Sequence, residues 1–270
     1  MNRYKSVAVL LGAVLLASCD TFGGDTGLQD ITAPAASARV KFHNFSPSSV
    51  GVNFFANDTK MTAVASSACQ SPATAADSTA CTTTGKESTV GTKYGQVASG
   101  GLYDAIAPGQ YTLAAKVAGA SDVVSTATQT IGDGKYYSFF MSGPYDATSK
   151  TAQAFVVEDD IPAGVDYNVG EVRLVNAVSN ATGPLTLYVT NAETKAVTPI
   201  GSGVAYKSAG TFAQLPPGTY TLAAQYASGT NLITRTSAVS VLGGHVYTVT
   251  AYGTTATSST LGLDFTENQR

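Results

Sequence analysis

The search for acid–base chemistry starts from the two histidines of the chain, His43 and His245. They lie far apart in the sequence, and no carboxylate recurs at a matching position beside them. His43 alternates with Phe42 in a strand-like pattern, which predicts that its ring faces away from the apolar side of the strand. We therefore predict two solvated histidines and no shared catalytic site.

The densest acidic stretch is EDDIPAGVD, residues 158–166, which could supply oxygen ligands to calcium. The order of its acids does not fit an EF-hand loop. Pro162 and Gly164 instead favour a solvated linker between two domains. We predict the linker and no metal or cofactor, with calcium as the alternative; the acids in question are Glu158, Asp159, Asp160 and Asp166.

Composition argues against several functional classes. Charged residues make up 12% of the 270 residues, about half the usual fraction, so few groups are left for acid–base catalysis. The sequence contains no G-x-S-x-G, H-E-x-x-H, P-loop or G-x-G-x-x-G motif. The net charge of −3, without a basic patch, gives no support for a nucleic-acid partner. We predict that the protein is not an enzyme.

The first of three cysteines, Cys19, closes an apolar run over residues 7–16 that follows Arg3 and Lys5. Ten apolar residues span only about 15 Å as a helix, too short for a hydrocarbon core of about 30 Å. The run therefore predicts a signal peptide at residues 1–18. Its end, Leu-Ala-Ser-Cys, resembles the lipobox of bacterial lipoproteins. The alternative is a plain export signal with a chance cysteine.

The lipobox resemblance implies that diacylglycerol is attached to Cys19 and that this cysteine becomes the first mature residue. The membrane is then a partner through the N-terminal lipid. Residues 19–37 are polar and glycine-rich, which predicts a flexible tether. Asp20 resembles the inner-membrane retention signal of enteric bacteria, a rule that many other bacteria do not follow, and we expect the outer membrane, on its periplasmic or cell-surface face.

An exported chain meets an oxidising compartment, so the spaced pair Cys69 and Cys81 predicts a disulfide. Closing a loop of about a dozen residues contributes roughly 3 kcal/mol in the chain-entropy model. The alternative is a pair of free thiols in a redox or metal site. The sequence offers neither a C-x-x-C motif nor a nearby histidine to support it.

The mature chain contains an internal repeat, since APGQYTLAAKVAG at 107–119 returns as PPGTYTLAAQYAS at 216–228. The upstream blocks RVKFHNFS and EVRLVNAV begin at 39 and 171. The offset between copies is 171 − 39 = 132 upstream and 216 − 107 = 109 downstream, so copy one has an insertion of 132 − 109 = 23 residues, which holds the cysteine pair. We predict domains at 38–160 and 171–267, joined by a linker at 161–170.

Each copy has the pattern of short strands with turns every eight to twelve residues. Alternating apolar residues predict an all-β fold class, with two tandem immunoglobulin-like β-sandwich domains. The Pro-Gly-x-Tyr segments resemble the tyrosine corner of such sandwiches, in which a phenol bonds nearby backbone. The alternative is a sugar-stacking platform; the residues concerned are Gly109, Tyr111, Gly218 and Tyr220.

Three blocks of the second copy, V-R-x-x-N, L-x-P-G-x-Y and G-x-x-Y-T-V, resemble a bacterial family known only as domain of unknown function 4397. Its members are often lipoproteins with one or two such units. The first copy departs from the pattern at Ile106, where the family has leucine, and at Tyr137-Ser138-Phe139, which replaces Y-T-V. The resemblance implies a fold and a location and carries no catalytic residues. The matching residues are Val172, Arg173, Asn176, Leu215, Gly218, Tyr220, Gly244 and Tyr247.

These observations predict a tethered, non-enzymatic envelope lipoprotein of binding or structural type, acting as a spacer or in adhesion. Its ligand would be an unknown protein or glycan met by loops at the sandwich ends. The alternative is a glycan-binding accessory protein of a surface uptake system. Its site would use the loop aromatics Tyr94, Tyr103 and Tyr145.

Overall fold

The computed structural model describes residues 37–62, 90–227 and 231–268, and these residues form β-strands and one 3₁₀ turn at Ala98–Gly101. The first half holds β1 (Ala38–Asn44), β2 (Val52–Ala56), β3 (Thr59–Lys60), β4 (Gln96–Val97), β5 (Asp104–Ile106), β6 (Gly109–Val117), β7 (Val123–Ile131), β8 (Tyr136–Asp146) and β9 (Thr151–Glu158). The second half holds β10 (Gly170–Ser179), β11 (Leu185–Asn191), β12 (Val197–Val204), β13 (Ser208–Ala209), β14 (Ala213–Leu215), β15 (Gly218–Tyr226), β16 (Asn231–Thr234), β17 (Val239–Val241), β18 (Val246–Thr254) and β19 (Thr257–Glu267).

The two halves repeat one strand order. In repeat 1 (β1–β9), sheet A has the order β4-β1-β8-β9 with β5 also on β1, and sheet B has the order β3-β2-β6-β7. In repeat 2 (β10–β19), sheet C has the order β13-β10-β18-β19 with β14 also on β10, and sheet D has the order β12-β11-β15-β16 with β17 on β15. The first strand of each repeat runs parallel to a late strand, β8 or β18.

Each repeat is a sandwich because alternate side chains of its two sheets meet in one apolar core. Sheets A and B enclose Phe42, Phe54 and Leu113, while sheets C and D enclose Leu174 and Leu187, all essentially inaccessible to solvent. Burying one such side chain contributes about 1.5–3 kcal/mol. The expectation of an all-β, sandwich-type fold is confirmed.

The glycine of each Pro-Gly-x-Tyr segment lets the ring of its tyrosine lie against the main chain. A Cβ atom on Gly109 would lie 3.4 Å from Cε2 of Tyr111, and one on Gly218 would lie 3.5 Å from Cε2 of Tyr220. The hydroxyl of Tyr220 donates to the carbonyl of Pro216 at 2.7 Å, as in a tyrosine corner. The hydroxyl of Tyr111 has no such acceptor within the part of the chain that the structure describes, so the corner bond differs between the repeats.

A second pair of tyrosines has the same role in both repeats. The hydroxyl of Tyr137 accepts the amide N–H of Gly132 at 3.1 Å, and that of Tyr247 accepts the amide N–H of Leu242 at 3.2 Å. Both bonds close the turn that precedes the strand β8 or β18. The conserved arrangement explains a tyrosine at the start of each of these strands.

Several expectations fall on residues that the structure does not describe. The signal peptide 1–18, most of the tether 19–37, Cys19, and the pair Cys69 and Cys81 lie outside the described residues. In the ranges 37–62, 90–227 and 231–268, no helix has the length and apolar character needed to cross a membrane.

The corner hydrogen bond predicts unequal effects of two matched substitutions. Tyr220→Phe removes the bond to Pro216 and should cost about 1 kcal/mol of unfolding free energy. Tyr111→Phe, at the equivalent position of repeat 1, should cost less, because its hydroxyl has no bond to lose there. Urea denaturation of both variants measures the difference. Equal losses would contradict the assignment.

Candidate functional site

The face of sheet A that points away from its own sandwich packs against the corresponding face of sheet C. The contact is an apolar cluster in which Phe45, Phe140 and Phe155 of repeat 1 meet Val175 and Ala177 of repeat 2. Both repeats belong to one compact unit, Ala36–Arg270. The interface between the repeats is therefore a second buried layer, in addition to the two sandwich cores.

A positive charge of repeat 2, Arg173, is buried beside this cluster, with 2% of its surface exposed. Its guanidinium donates to the carboxylate of Asp159, which follows β9 in repeat 1 and is also buried. A further N–H of Arg173 donates to the carbonyl of Glu158 at 3.2 Å, and its Nε donates to the hydroxyl of Thr248 at 3.0 Å. The buried guanidinium thus has three different acceptors.

A positive charge of repeat 1, Lys41, is buried on the other side of the same contact, with 1% exposed. Its ammonium donates to the carbonyl of Glu267 at 2.9 Å and to Oδ1 of Asn268 at 3.1 Å. Both acceptors belong to the end of repeat 2. One cation of each repeat therefore donates hydrogen bonds to residues at the end of the last strand of the other repeat.

The strand registers show that these partners occupy equivalent positions. Lys41 and Arg173 follow the first buried valine of β1 and β10, and Ser138 and Thr248 lie opposite them on β8 and β18. Asp159 and Asn268 follow β9 and β19, and their amides bond to the carbonyls of Tyr136 and Val246, each at 2.7 Å. The list of equivalent pairs is Lys41 and Arg173, Ser138 and Thr248, Asp159 and Asn268.

An aromatic side chain of the same repeat covers each of the two cations. The ammonium of Lys41 lies 4.2 Å from the ring centroid of Tyr103, and the guanidinium carbon of Arg173 lies 4.8 Å from that of Phe212. Tyr103 immediately precedes β5, which pairs with β1, and Phe212 immediately precedes β14, which pairs with β10. These cation–π contacts add to the hydrogen bonds.

The opposite end of the interface repeats the pattern with two tyrosines. Tyr94 packs edge-on against Tyr252 at 5.7 Å and donates to the carbonyl of Thr260. The equivalent Tyr206 lies 3.0 Å from the hydroxyl oxygen of Ser142 in repeat 1. The interface is therefore pseudo-isologous: the same patch of each repeat is used, and the contacts of the buried cations and of the two tyrosines occur at equivalent positions, as in a twofold-symmetric dimer.

The acceptors of the two cations differ in charge. Repeat 1 supplies the carboxylate of Asp159, which also accepts from Ser138 Oγ at 2.6 Å and Tyr103 Oη at 2.7 Å. Repeat 2 supplies the neutral amide of Asn268, whose Nδ2 donates to Thr248 at 2.7 Å. The arginine therefore faces a carboxylate, while the lysine faces an amide and a carbonyl oxygen.

Burial shifts the titration of the groups in this network. Loss of hydration, with a smaller contribution from the nearby Arg173, lowers the pKa of Lys41 to about 8. Burial, reinforced by the neighbouring carboxylate of Asp159, raises the pKa of Tyr103 above its ordinary value. Burial likewise raises the pKa of Asp104 to about 6, against a hydrogen bond from Ser99 that lowers it. The phenol of Tyr103 thus stays protonated as a donor to Asp159.

The prediction of a solvated His43 is wrong, because the structure buries it with 1% exposed. The ring does point away from the core of its own sandwich, as its alternation with Phe42 indicated, but repeat 2 covers that face. His245 lies on the surface, where Nδ1 is 2.9 Å from the carboxylate of Glu267 and both side chains are about two-fifths exposed. The two histidines lie in different environments.

Two of the three tyrosines expected to be exposed in loops are partly buried and make contacts between the repeats. Tyr103 bonds to Asp159, and Tyr94 bonds to Thr260 and packs on Tyr252. Tyr145 is half-buried and packs against the core of repeat 1. The structure does not bring these three rings together as one exposed platform.

The acidic stretch 158–166 is divided among different partners. Glu158 pairs with Lys135 at 2.8 Å on the surface, Asp159 pairs with Arg173, and Asp166 accepts from Asn168 in a turn. No three His, Cys, Asp or Glu side chains of the described ranges come together as metal ligands. Beside Asp160 lies a cleft of about 540 Å³ that is walled by the linker on one side and by Arg173 and Phe212 on the other.

The repeated sequence blocks contain Lys41 and Arg173, but they do not include the partners of these two residues. The signal was the recurrence of a polar residue just after each last strand, Asp159 and Asn268. It lies beyond the repeated blocks that are recognisable by identity. Only the register of β9 and β19 makes the two positions equivalent.

The buried pair predicts a large effect of a nearly isosteric substitution. Asp159→Asn leaves the guanidinium of Arg173 buried without an anion and should cost about 3–5 kcal/mol of unfolding free energy. Asp160→Asn, at the exposed neighbour, should change it by no more than about 0.5 kcal/mol. Urea midpoints at a common slope measure both. Similar midpoints for the two variants would show that the pair does not support the fold.

The lowered pKa of Lys41 predicts a rise in stability with pH. The unfolded lysine keeps its proton to about pH 10.4, while the folded one releases it near pH 8, so the unfolded state binds more protons between these values. Unfolding free energy should rise by up to about 1.4 kcal/mol per pH unit from pH 8 to 9.5. Lys41→Met should abolish this rise and Lys135→Met should retain it. An unchanged slope in Lys41→Met would refute the assignment.

Comparison with known proteins identifies one segment. Residues 170–270 match the model of a family described as Domain of unknown function (DUF4397). This match covers repeat 2 and includes the motif residues Arg173, Asn176 and Tyr220. No curated protein is significantly similar to the chain in sequence.

Solved structures give distant likenesses. The TIE protein of Bacillus anthracis is 14% identical, with a TM-score of 0.25; the match covers 81% of this chain and 34% of that protein, about a third of its length. A leucine-rich repeat protein of Bacteroides thetaiotaomicron is 16% identical, with a TM-score of 0.20, and covers 79% of this chain and 25% of its own. A family CBM26 module of Eubacterium rectale, solved with maltoheptaose, is 13% identical, with a TM-score of 0.22 and coverages of 86% and 97%. At these TM-scores the likenesses carry no argument about this chain.

Proposed function

We propose that this protein is a non-enzymatic, lipid-anchored protein of the bacterial cell envelope whose two repeats act as one rigid spacer or binding module. Both repeats would be units of the family that matches residues 170–270. The proposal combines the lipobox of the sequence with the geometry of the interface between the repeats.

The observation that carries the proposal is the reciprocal exchange of buried cations. Domains in one chain move relative to each other unless their interface is large and apolar. Here the aromatic cluster around Phe140 is joined by the contacts of Arg173 with Asp159 and of Lys41 with Asn268. Separating the repeats would expose the cluster and break both charge contacts, so the two sandwiches behave as one body.

The charged groups at the interface support a structural role. The carboxylate of Asp159 accepts from Arg173, Ser138 and Tyr103. A buried carboxylate that accepts from three donors is fixed in position. Such a group holds other side chains in place, which is the role expected in a spacer.

The envelope location is supported by the order of a basic start, an apolar run and Leu-Ala-Ser-Cys in the first 19 residues. A lipid on Cys19 would anchor the chain at a position that precedes β1 in the sequence. The pair of sandwiches would then be held at the membrane through this anchor. The proposed location is the outer membrane.

Lipid attachment to Cys19 is tested directly in a bacterial host. The full chain should incorporate labelled palmitate and appear in the membrane fraction, because lipidation requires the thiol of Cys19. Cys19→Ser should lose both properties. The double variant Cys69→Ser, Cys81→Ser is the matched control and should keep the label. Labelling that survives Cys19→Ser would contradict the proposed anchor.

A further inference from the structure

The centre of the interface between the repeats holds an imidazole with no hydrogen bond. The ring of His43 stacks on Phe140 at 4.3 Å, with an interplanar angle of 17°, and lies 5.4 Å from the ring of Phe45. Its strand neighbours in register are Val97 of β4 and Phe140 of β8. Neither Nδ1 nor Nε2 has a hydrogen-bond partner within the described residues. Only 1% of the residue is exposed, so the ring is also shielded from water.

The surroundings of His43 disfavour its protonated form. A buried imidazolium needs an acceptor for each N–H, and the rings and aliphatic side chains around it provide none. The charges that act on it are both positive: Lys41 on its own strand and Arg173 on β10 of the facing repeat. Burial, and then these two cations, hold the pKa of His43 well below its ordinary value.

Three titratable groups of the contact have partners other than His43. Tyr252 of β18 stacks on Phe45 at 4.4 Å, and burial raises its pKa. Asp264 of β19 acts on Lys41, and burial raises its pKa, while Asp159 is held by Arg173. The neutral imidazole is therefore enclosed by rings and faced by cations.

We propose that the joint between the two repeats is an acid-sensitive switch whose titrating group is His43, so that protonation of this ring separates sheet A from sheet C. The separated state returns the imidazolium to water and lets each sandwich keep its own core. Repeat 2 has Val175 at the equivalent position, so it supplies no matching imidazole there.

The direction of the effect follows from proton linkage. We take the pKa of His43 to be ordinary in the open state and lowered in the closed state. The closed state is then fully favoured above about pH 6.5. Below that pH the open state binds one more proton, so the ratio of closed to open molecules falls about tenfold per pH unit. Asp264 acts in the opposite sense, because its raised pKa makes its protonated form the better one in the closed state.

Two variants isolate the effect of His43. His43→Val places in β1 the residue that β10 uses at the same position, so it removes the titration and keeps an apolar side chain. His245→Gln removes the surface imidazole and leaves the interface unchanged. Asp264 is retained in both variants, so its opposing contribution cancels in the comparison.

Imidazole resonances of the full chain, labelled with ¹³C at histidine, report the protonation directly. The chain has two histidines, and His245→Gln assigns their signals. The signal of His43 should keep its neutral position at pH 6 and change together with opening of the joint. A His43 signal that titrates near pH 6.5 without opening would overturn the proposal.

Hydroxyl-radical footprinting of the full chain reports the opening, because it measures the exposure of side chains and does not need the backbone bonds of either sheet to break. Below pH 6.5 the labelling of Phe140, which is buried at the contact, should increase by up to about tenfold per pH unit in wild type and His245→Gln, and much less in His43→Val. Labelling of Leu113, in the core of repeat 1, should not change in step. Equal acid responses of wild type and His43→Val, or labelling of Leu113 together with Phe140, would overturn the proposal.

Discussion

The arrangement of this protein depends on one interaction, the burial of Arg173 against Asp159 between the two repeats. Taking a guanidinium and a carboxylate out of water costs several kcal/mol per ion, and the cost is offset only when each remaining donor and acceptor is satisfied. Thr248 and the carbonyl of Glu158 accept further hydrogen bonds from the arginine. Ser138 and Tyr103 donate further hydrogen bonds to the aspartate. The pair therefore fixes the register of sheet A on sheet C, since a shift of either sheet would leave a buried charge without its partner.

Duplication of one unit explains how such an interface can arise. The same patch of each repeat meets its counterpart, so the cation of one repeat automatically lies near the end of the last strand of the other. At three equivalent positions of the contact the two copies have different residues. Asp159 corresponds to Asn268, Tyr103 to Phe212, and His43 to Val175. These three differences lie at or beside the contact between the repeats.

Much of the fold could be predicted from the sequence, because strand alternation and the repeated Pro-Gly-x-Tyr block are local signals. The outer faces could not. Alternation shows that Lys41 and His43 point away from the core of their own sandwich, and this face is normally solvated. Covering it requires a second sandwich, and no local pattern of β1 records that cover. The same limit applies to Tyr94 and Tyr103, which looked like exposed loop aromatics and are used between the repeats.

The central claim, that the interface makes one rigid body of the two repeats, is tested by pulsed dipolar spectroscopy on the full chain. Spin labels attached through non-cysteine chemistry at Thr128 of β7 and Thr194, in the turn after β11, leave Cys19, Cys69 and Cys81 untouched. Both positions are exposed. At neutral pH we expect one narrow distance distribution between the labels. A broad distribution, as from two sandwiches joined only by the segment 160–169, would contradict it.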